Sequence, residues 1–233
     1  MKTFVIGDIH GAHRALLQCF DRSGFNRKKD RLIALGDVCD VYPEVRQCID
    51  ELITLKHCDF IIGNHDLWAL DWATRGLKPA MWLEQGGDQT INSYGGGPMP
   101  REHVDFLNKA HPWLEVDGRV FVHAGFDPDR PLGSQSLRVL AWDRDLVRMA
   151  WEKEKADCGQ PIGCYKEIFL GHTPACFSKS MEPVHVCNIW AIDTGAGWNG
   201  GPLTIMDVNT KEYWQSDPTL ALYGSKGRRK DVD

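Results

Sequence analysis

The chain has 233 residues, enough for one domain with a sizeable core, and its 42% hydrophobic and 25% charged residues are ordinary for a globular protein. A net charge of -5 excludes the basic balance of a general nucleic-acid binder, and no apolar segment is long enough to suggest a membrane partner. Only a short apolar run precedes Asp8, so no signal peptide is read, and the eight cysteines, none in a Cys-x-x-Cys pair, read as reduced thiols of a cytoplasmic protein.

In chain order, a short apolar run at 3–6 predicts a first strand and stops at Gly7-Asp8-Ile9-His10. A weak helical pattern covers 12–20. The run at 32–35 ends in Gly36-Asp37. Pro43 then opens a helix in which Val45, Ile49, Leu52 and Ile53 share roughly one face. The run at 60–62 ends in Gly63-Asn64-His65-Asp66. Residues 72–100 read as an irregular insert rich in Trp and Gly, a candidate lid, and Trp68, Trp72 and Trp82 read as packing residues. A second weak helix is predicted at 102–110. The runs at 120–122 and 168–170 end in His123-Ala124-Gly125 and Gly171-His172. The segments 184–192 and 203–208 read as strands paired with each other through a glycine-rich turn at 195–201. The domain is expected to span 1–217, with 218–233 a polar, flexible tail carrying the basic stretch 226–230.

Runs this short and this apolar fit strands buried on both faces, and their alternation with helices implies an α/β layered fold. In such sheets ligands bind beyond the carboxyl ends of the strands. The polar clusters therefore converge there although far apart in sequence, bringing together Asp8, His10, Asp37, Asn64, His65, His123 and His172. Carboxylate, imidazole and amide oxygen together suit Mn, Fe or Zn. There are more ligands than one ion needs, and one carboxylate can bridge two. His13, His57, His103, His111 and His185 belong to no such cluster and read as ordinary surface or core residues.

The ordered motifs Gly7-Asp8-Ile9-His10-Gly11, Gly36-Asp37-Val38-Cys39-Asp40, Gly63-Asn64-His65-Asp66, His123-Ala124-Gly125 and Gly171-His172-Thr173 resemble the calcineurin-like metallophosphoesterase superfamily, and more narrowly the bacterial PPP-type serine/threonine protein phosphatases. The narrower likeness also rests on Trp82-Leu83-Glu84-Gln85-Gly86-Gly87 with Thr90 and Ser93-Tyr94, on Ala141-Trp142-Asp143-Arg144, and on Ile192-Asp193-Thr194-Gly195-Ala196. The resemblance implies a four-layer α-β-β-α sandwich of two mixed sheets with flanking helices. It also implies two divalent metal ions, manganese first, with Fe, Zn, Co or Ni as alternatives. Asp8 and His10 would hold one ion and Asn64, His123 and His172 the other, with Asp37 bridging them. His65 would be the acid for the leaving oxygen, held by Asp40. Asp66 would support the loop, and Arg144 would grip phosphate.

The implied reaction is phosphomonoester hydrolysis by hydroxide attack at the dinuclear centre, with phosphoserine or phosphothreonine proteins as first substrates. Dinucleoside polyphosphates such as diadenosine tetraphosphate are the runner-up. A cyclic-nucleotide diesterase and a non-catalytic metal-binding scaffold are weaker alternatives. Two departures bear on substrate: Val41-Tyr42 follows Asp40 where the family usually has Arg-Gly, and Asp66 stands where protein phosphatases usually have Glu. Arg14, Arg75 and Arg130 are the candidates for a replacement phosphate contact.

Overall fold

Neighbouring residues in the central strands face different cores, and this alternation stacks the molecule into layers. In β1 (Thr3–Ile6), Phe4 and Ile6 join a cluster beneath helices while Val5 joins a separate one; in β2 (Arg31–Ala34), Leu32 and Ala34 oppose Ile33 in the same way. In β5 (Arg119–Val122) and β6 (Glu167–Leu170), Val120, Val122, Ile168 and Leu170 enter a third cluster, while Phe121 and Phe169 turn to meet Val5 and Ile33. The rings of Phe121 and Phe169 stack there with centroids 4.9 Å apart. With a core on both faces, these strands carry no polar face, which explains their continuous apolar sequence.

The computed structural model describes residues 1–156, 160–175, 180–198 and 200–224. After β2 come α2 (Val45–Thr54), β3 (Cys58–Phe60) and α3 (Asn64–Arg75), with α1 (His13–Ser23) between β1 and β2. Three short helical pieces follow: α4 (Ala80–Trp82), one π turn at Leu83–Gly87, and α5 (Asp88–Ser93). The chain continues through α6 (Arg101–Asn108), β4 (Leu114–Val116), β5, α7 (Leu137–Trp142), α8 (Asp145–Lys155) and β6. It closes with β7 (Val184–Val186), β8 (Ile189–Ala191), β9 (Thr204–Asp207), β10 (Tyr213–Gln215) and α9 (Thr219–Tyr223). The strands form two five-stranded sheets, ordered β10-β9-β1-β2-β3 and β4-β5-β6-β8-β7. Strands β1-β2-β3 run parallel, as do β5-β6-β8, and the remaining strands are antiparallel additions, so both sheets are mixed. The expected layered sandwich is therefore present. Among the described residues no helix is long and apolar enough to cross a membrane.

Four details differ from the sequence reading. The segment 184–192 does not pair with 203–208: it folds on itself as the β7–β8 hairpin, turning at Cys187, whose φ is 54°, while β9 crosses to the other sheet beside β1. The insert at 72–100 is mostly helical, because Trp82 is completely buried and Trp72 nearly so, which gives α3 and α4 a shared apolar contact. Ile53 is exposed, and Cys48 takes its expected place on the buried face of α2. Residue 218 does not begin a tail: α9 docks through buried Thr219, whose hydroxyl reaches the Ala196 carbonyl at 2.8 Å, and Tyr223 stacks on Tyr42 at 4.6 Å. The basic stretch 226–230 lies outside the described residues.

At the sheet edge away from the polar clusters, Glu167 joins the two sheets. It accepts from Arg119 Nε (2.6 Å) and pairs with Lys211 Nζ (2.7 Å) from the β9–β10 turn. Burial raises its carboxyl pKa, but Lys211 and Arg119 outweigh burial and hold it below the usual value of 4.5. A lowered folded value means this stabilisation is complete above the ordinary glutamate range and disappears as pH falls through the folded value. Glu167→Gln is therefore expected to lower stability by about 1 kcal/mol at pH 7, allowing for solvent screening. Urea unfolding at pH 7 and at pH 3 checks this, because the difference from the wild type should vanish at the acid end.

Candidate metal centre

Each sequence-predicted group sits where a parallel strand ends. Asp8 and His10 follow β1, Asp37 and Asp40 follow β2, and Asn64 and His65 open α3 just after β3. His123 follows β5 and His172 follows β6, so the carboxyl edges of both sheets meet over one spot. All eight residues are buried.

Asp37 lies at the middle of this group. Its Oδ1 accepts the backbone N–H of His65 at 2.9 Å. Its Oδ2 faces the Nε2 atoms of His10 and His123 at 3.7 and 3.4 Å. Both imidazoles are oriented from behind: His10 Nδ1 meets the Cys39 carbonyl at 2.9 Å and His123 Nδ1 the Leu35 carbonyl at 2.7 Å. A carbonyl accepts only from N–H, which fixes each Nδ1 as the donor and turns each Nε2 inward. Asn64 Oδ1 lies 3.1 Å from His123 Nε2, and the His172 backbone N–H donates to the Asp8 carboxylate at 3.1 Å.

The electrostatics match this geometry. Burial, then the charges of Asp193 and Asp37, push the Asp8 carboxyl well above the usual range. Burial also pushes Asp37 upward, but His123, His65 and His10 outweigh it and hold the carboxyl well below that range. Burial opposes a charge on His123, yet Asp37 and Asp8 raise the imidazole to about 10. Burial, His123 and Arg144 keep His172 well below the ordinary histidine value, in the neutral form a metal ligand needs.

Two donor sets of metal-binding chemistry result, Asp8–His10–Asp37 and Asp37–His123–His172, with the ligand atoms of each within 4.8 Å of one another. They share Asp37, and every member is buried. Carboxylate and imidazole donors turned toward common centres, with Asn64 beside the second, fit a pair of divalent ions. The backbone packs directly against two of these carboxylates, at positions where only glycine fits. A Cβ on Gly171 would stand 2.2 Å from Asp8 Oδ1, and one on Gly63 would stand 2.2 Å from Asp37 Oδ1. The backbone is strained at the same places, with positive φ at His10, Asp37, Asp40, Val41 and His172. A third set, Asp50–Glu102–His103, is partly exposed; His103 there is tied to Tyr94 and Asp50.

His65 Nδ1 is hydrogen-bonded to Asp40 Oδ2, which also accepts from Trp82 Nε1 at 2.8 Å; Asp40 Oδ1 accepts from Thr90 Oγ1 at 2.5 Å. Asp66 accepts the N–H groups of Asp37, Val38, Cys39 and Gly63 at 2.8 to 3.1 Å and so fixes the loop carrying Asp37 and Asp40. His65 is completely buried, with the rings of His10 and Trp68 packed edge-on at 5.0 Å.

A cleft of about 200 Å³ opens over Asp8, His10, Asn64 and His172, and Arg144 reaches it from the start of α8. Arg144 Nη1 donates to Thr173 Oγ1 at 3.4 Å. The three other candidate arginines point elsewhere: Arg14 holds Glu44 and the Leu222 carbonyl, Arg75 pairs with Asp71, and Arg130 reaches the Ser134 carbonyl. Sequence reasoning assigned Trp68 to packing, yet it lines the cleft with Trp142 and Trp198. Asp193, Met81 and Gln85 line it too without a prior role; for Asp193, its position after β8, at the end of another parallel strand, was the available signal.

Comparison with known proteins agrees with this arrangement. The family described as calcineurin-like phosphoesterase matches residues 1–210. Serine/threonine-protein phosphatase 1 of Salmonella typhimurium is 29% identical over 209 residues, covering 88% of this chain and 91% of the relative. The symmetrical bis(5'-nucleosyl)-tetraphosphatase of Dechloromonas aromatica is 31% identical over 279 aligned positions, covering 95% of this chain and 99% of the relative. A solved protein serine/threonine phosphatase from Saccharomyces cerevisiae shares the fold, with a TM-score of 0.61 at 12% identity, covering 93% of this chain and 80% of that one.

In Asp37→Asn, the amide oxygen can keep the bond to the His65 N–H, but the anionic oxygen facing both donor sets is lost. Metal analysis of the purified variant is expected to fall from about two ions per chain to one or fewer. Asp50→Asn, in the exposed acidic set, should leave the metal content unchanged.

Proposed function

The chain belongs to the calcineurin-like phosphoesterase family and is a metallophosphoesterase, and on that premise we propose that it hydrolyses phosphomonoesters, with phosphoserine and phosphothreonine proteins foremost. The observation that carries this reading is the pair of donor sets sharing Asp37 beneath a cleft that Arg144 lines. Asp8 and His10 would hold one ion, Asn64, His123 and His172 the other, and Asp37 both. Manganese is our first choice, since carboxylate, amide and imidazole donors suit it. When bound, such ions supply positive charge to phosphoryl oxygens and make water a competent nucleophile near neutral pH.

The chain's own residues supply the rest. Arg144 donates its planar fork to phosphoryl oxygens and stabilises charge that develops on them. Asp40 accepts the Nδ1 proton of His65 and stabilises the imidazolium, whose Nε2 proton is then available for the leaving oxygen. Trp68 packs edge-on against His65 and lines the cleft, so it borders the path of that oxygen.

Support for a protein substrate comes from length. The Salmonella protein phosphatase aligns over 209 residues, within the chain's own 233, whereas the Dechloromonas tetraphosphatase needs 279 aligned positions and so carries segments this chain lacks. Cleavage of a dinucleoside polyphosphate is the second reading, favoured by the 31% identity to that tetraphosphatase over nearly the whole chain.

With manganese-loaded protein, His65→Ala is expected to lower turnover of p-nitrophenyl phosphate by about 10²- to 10⁴-fold at unchanged metal content. On the same preparation, phosphate release from a phosphothreonine peptide should exceed hydrolysis of diadenosine tetraphosphate. The reverse order would transfer the assignment to the second reading.

A further inference from the structure

A phosphoryl group offers several oxygens, and the cleft must meet those that the ions and Arg144 do not. We propose that Gln85 is a second phosphoryl-binding side chain, donating from its carboxamide Nε2, so that the cleft holds substrate with one guanidinium and one neutral amide. This rests on the phosphoesterase reading above and concerns the same cleft.

Gln85 lines the cleft together with Arg144, Asn64 and His172. It does so because the helical segment breaks at that point. Gln85 lies at φ −98° and ψ 16°, outside helical geometry, and Gly86 follows at φ 97°. The break is clamped from both sides. The Gly86 carbonyl accepts the Val41 N–H at 3.1 Å, and a Cβ at Gly86 would stand 2.7 Å from Val41 N, so glycine is required for the close approach. One turn earlier, Trp82 Nε1 donates to Asp40. The segment carrying Gln85 is thus seated on the loop that carries Asp37 and Asp40. Local departures from α-helical geometry are frequently placed where a side chain is aimed at a ligand. Val41, the residue after Asp40, packs its own side chain against the core and does not line the cleft, so the phosphoryl contact on this side falls to Gln85.

The chemistry has a consequence for the ligand. A carboxamide carries no charge, so its hydrogen bond to a phosphoryl oxygen lacks the ion-pair attraction and bidentate fork that a guanidinium adds. The cleft therefore grips a dianionic phosphoryl group less tightly than two guanidinium groups would, and releases inorganic phosphate more readily. A carboxylate of the same shape would repel it.

The test uses the full chain loaded with manganese and two readouts. One is the affinity for inorganic phosphate, followed by fluorescence of Trp68, Trp142 and Trp198 at the cleft. The other is KM and kcat for p-nitrophenyl phosphate. Gln85→Ala is expected to weaken phosphate binding and raise KM about 3- to 10-fold with kcat changed less. Gln85→Glu, which is isosteric, should weaken binding further, and Gln85→Arg should tighten it beyond the wild type. Glu84→Gln, one residue away and exposed, should change neither. Wild-type affinity and KM in both Gln85→Ala and Gln85→Glu would overturn the proposal, as would a wild-type protein that binds no phosphate. Phosphate binding that responds to these variants without any turnover would instead retain Gln85 and remove the hydrolase reading.

Discussion

Four carboxylates buried at one sheet edge, those of Asp8, Asp37, Asp40 and Asp66, set the constraint that the surrounding structure answers. An ionised carboxylate removed from water costs several kcal/mol unless it is compensated. The four are compensated unequally, and burial still pushes Asp66 up to about 7 and Asp8 well above the usual range. Asp66 takes four backbone N–H groups, Asp40 takes Trp82, Thr90 and His65, and Asp8 takes the His172 N–H. Asp37 is left with one oxygen on a backbone N–H and the other turned to two imidazoles. A cation between those groups would complete the compensation, which is why the same geometry reads as a metal site.

Those demands shape the loops. The Asp37 carbonyl accepts from the N–H groups of both Ile9 and His10, and the His10 carbonyl accepts from Tyr42 N–H, so the first two loops are tied to each other. The left-handed conformations of His10, Asp37, Asp40, Val41 and His172 each cost roughly 1–2 kcal/mol relative to ordinary backbone. They persist because the layers beneath are rigid: Phe121 and Phe169 lie between the sheets and fix the separation of the strand ends from which the loops start. The price of a strained site is thus met by a close-packed core some distance from the chemistry.

The segment from Trp82 to Thr90 links the two halves of the site's chemistry. Trp82 and Thr90 hold the two oxygens of Asp40, and Asp40 orients His65; between them the broken helical turn brings Gln85 to the cleft. The His65–Asp40 pair and this wall of the cleft therefore share one support. Displacing Trp82 would loosen both, although Trp82 does not itself line the cleft.

Much of this was legible in the sequence. The run at 3–6 became β1 without change, and the runs near 32, 60, 120 and 168 became strands within a few residues, because a strand buried on both faces must be apolar at every position. Their polar ends then named the clustered residues, since α/β topology sends every such end to one edge. What local pattern could not supply was partnership. Nothing in 203–208 indicates that it joins β1 rather than the preceding hairpin, and nothing in 218–224 separates a docked helix from a tail. Arg14, Arg75 and Arg130 were as eligible as Arg144 by residue type, yet only Arg144 lines the cleft. Burial and periodicity are written in the spacing of side chains along a few residues, so the sequence by itself determined the elements and the chemistry at their ends. Which sheet a strand enters, and which way a long side chain points, depends on contacts between residues far apart in the chain, and only the tertiary structure decided those.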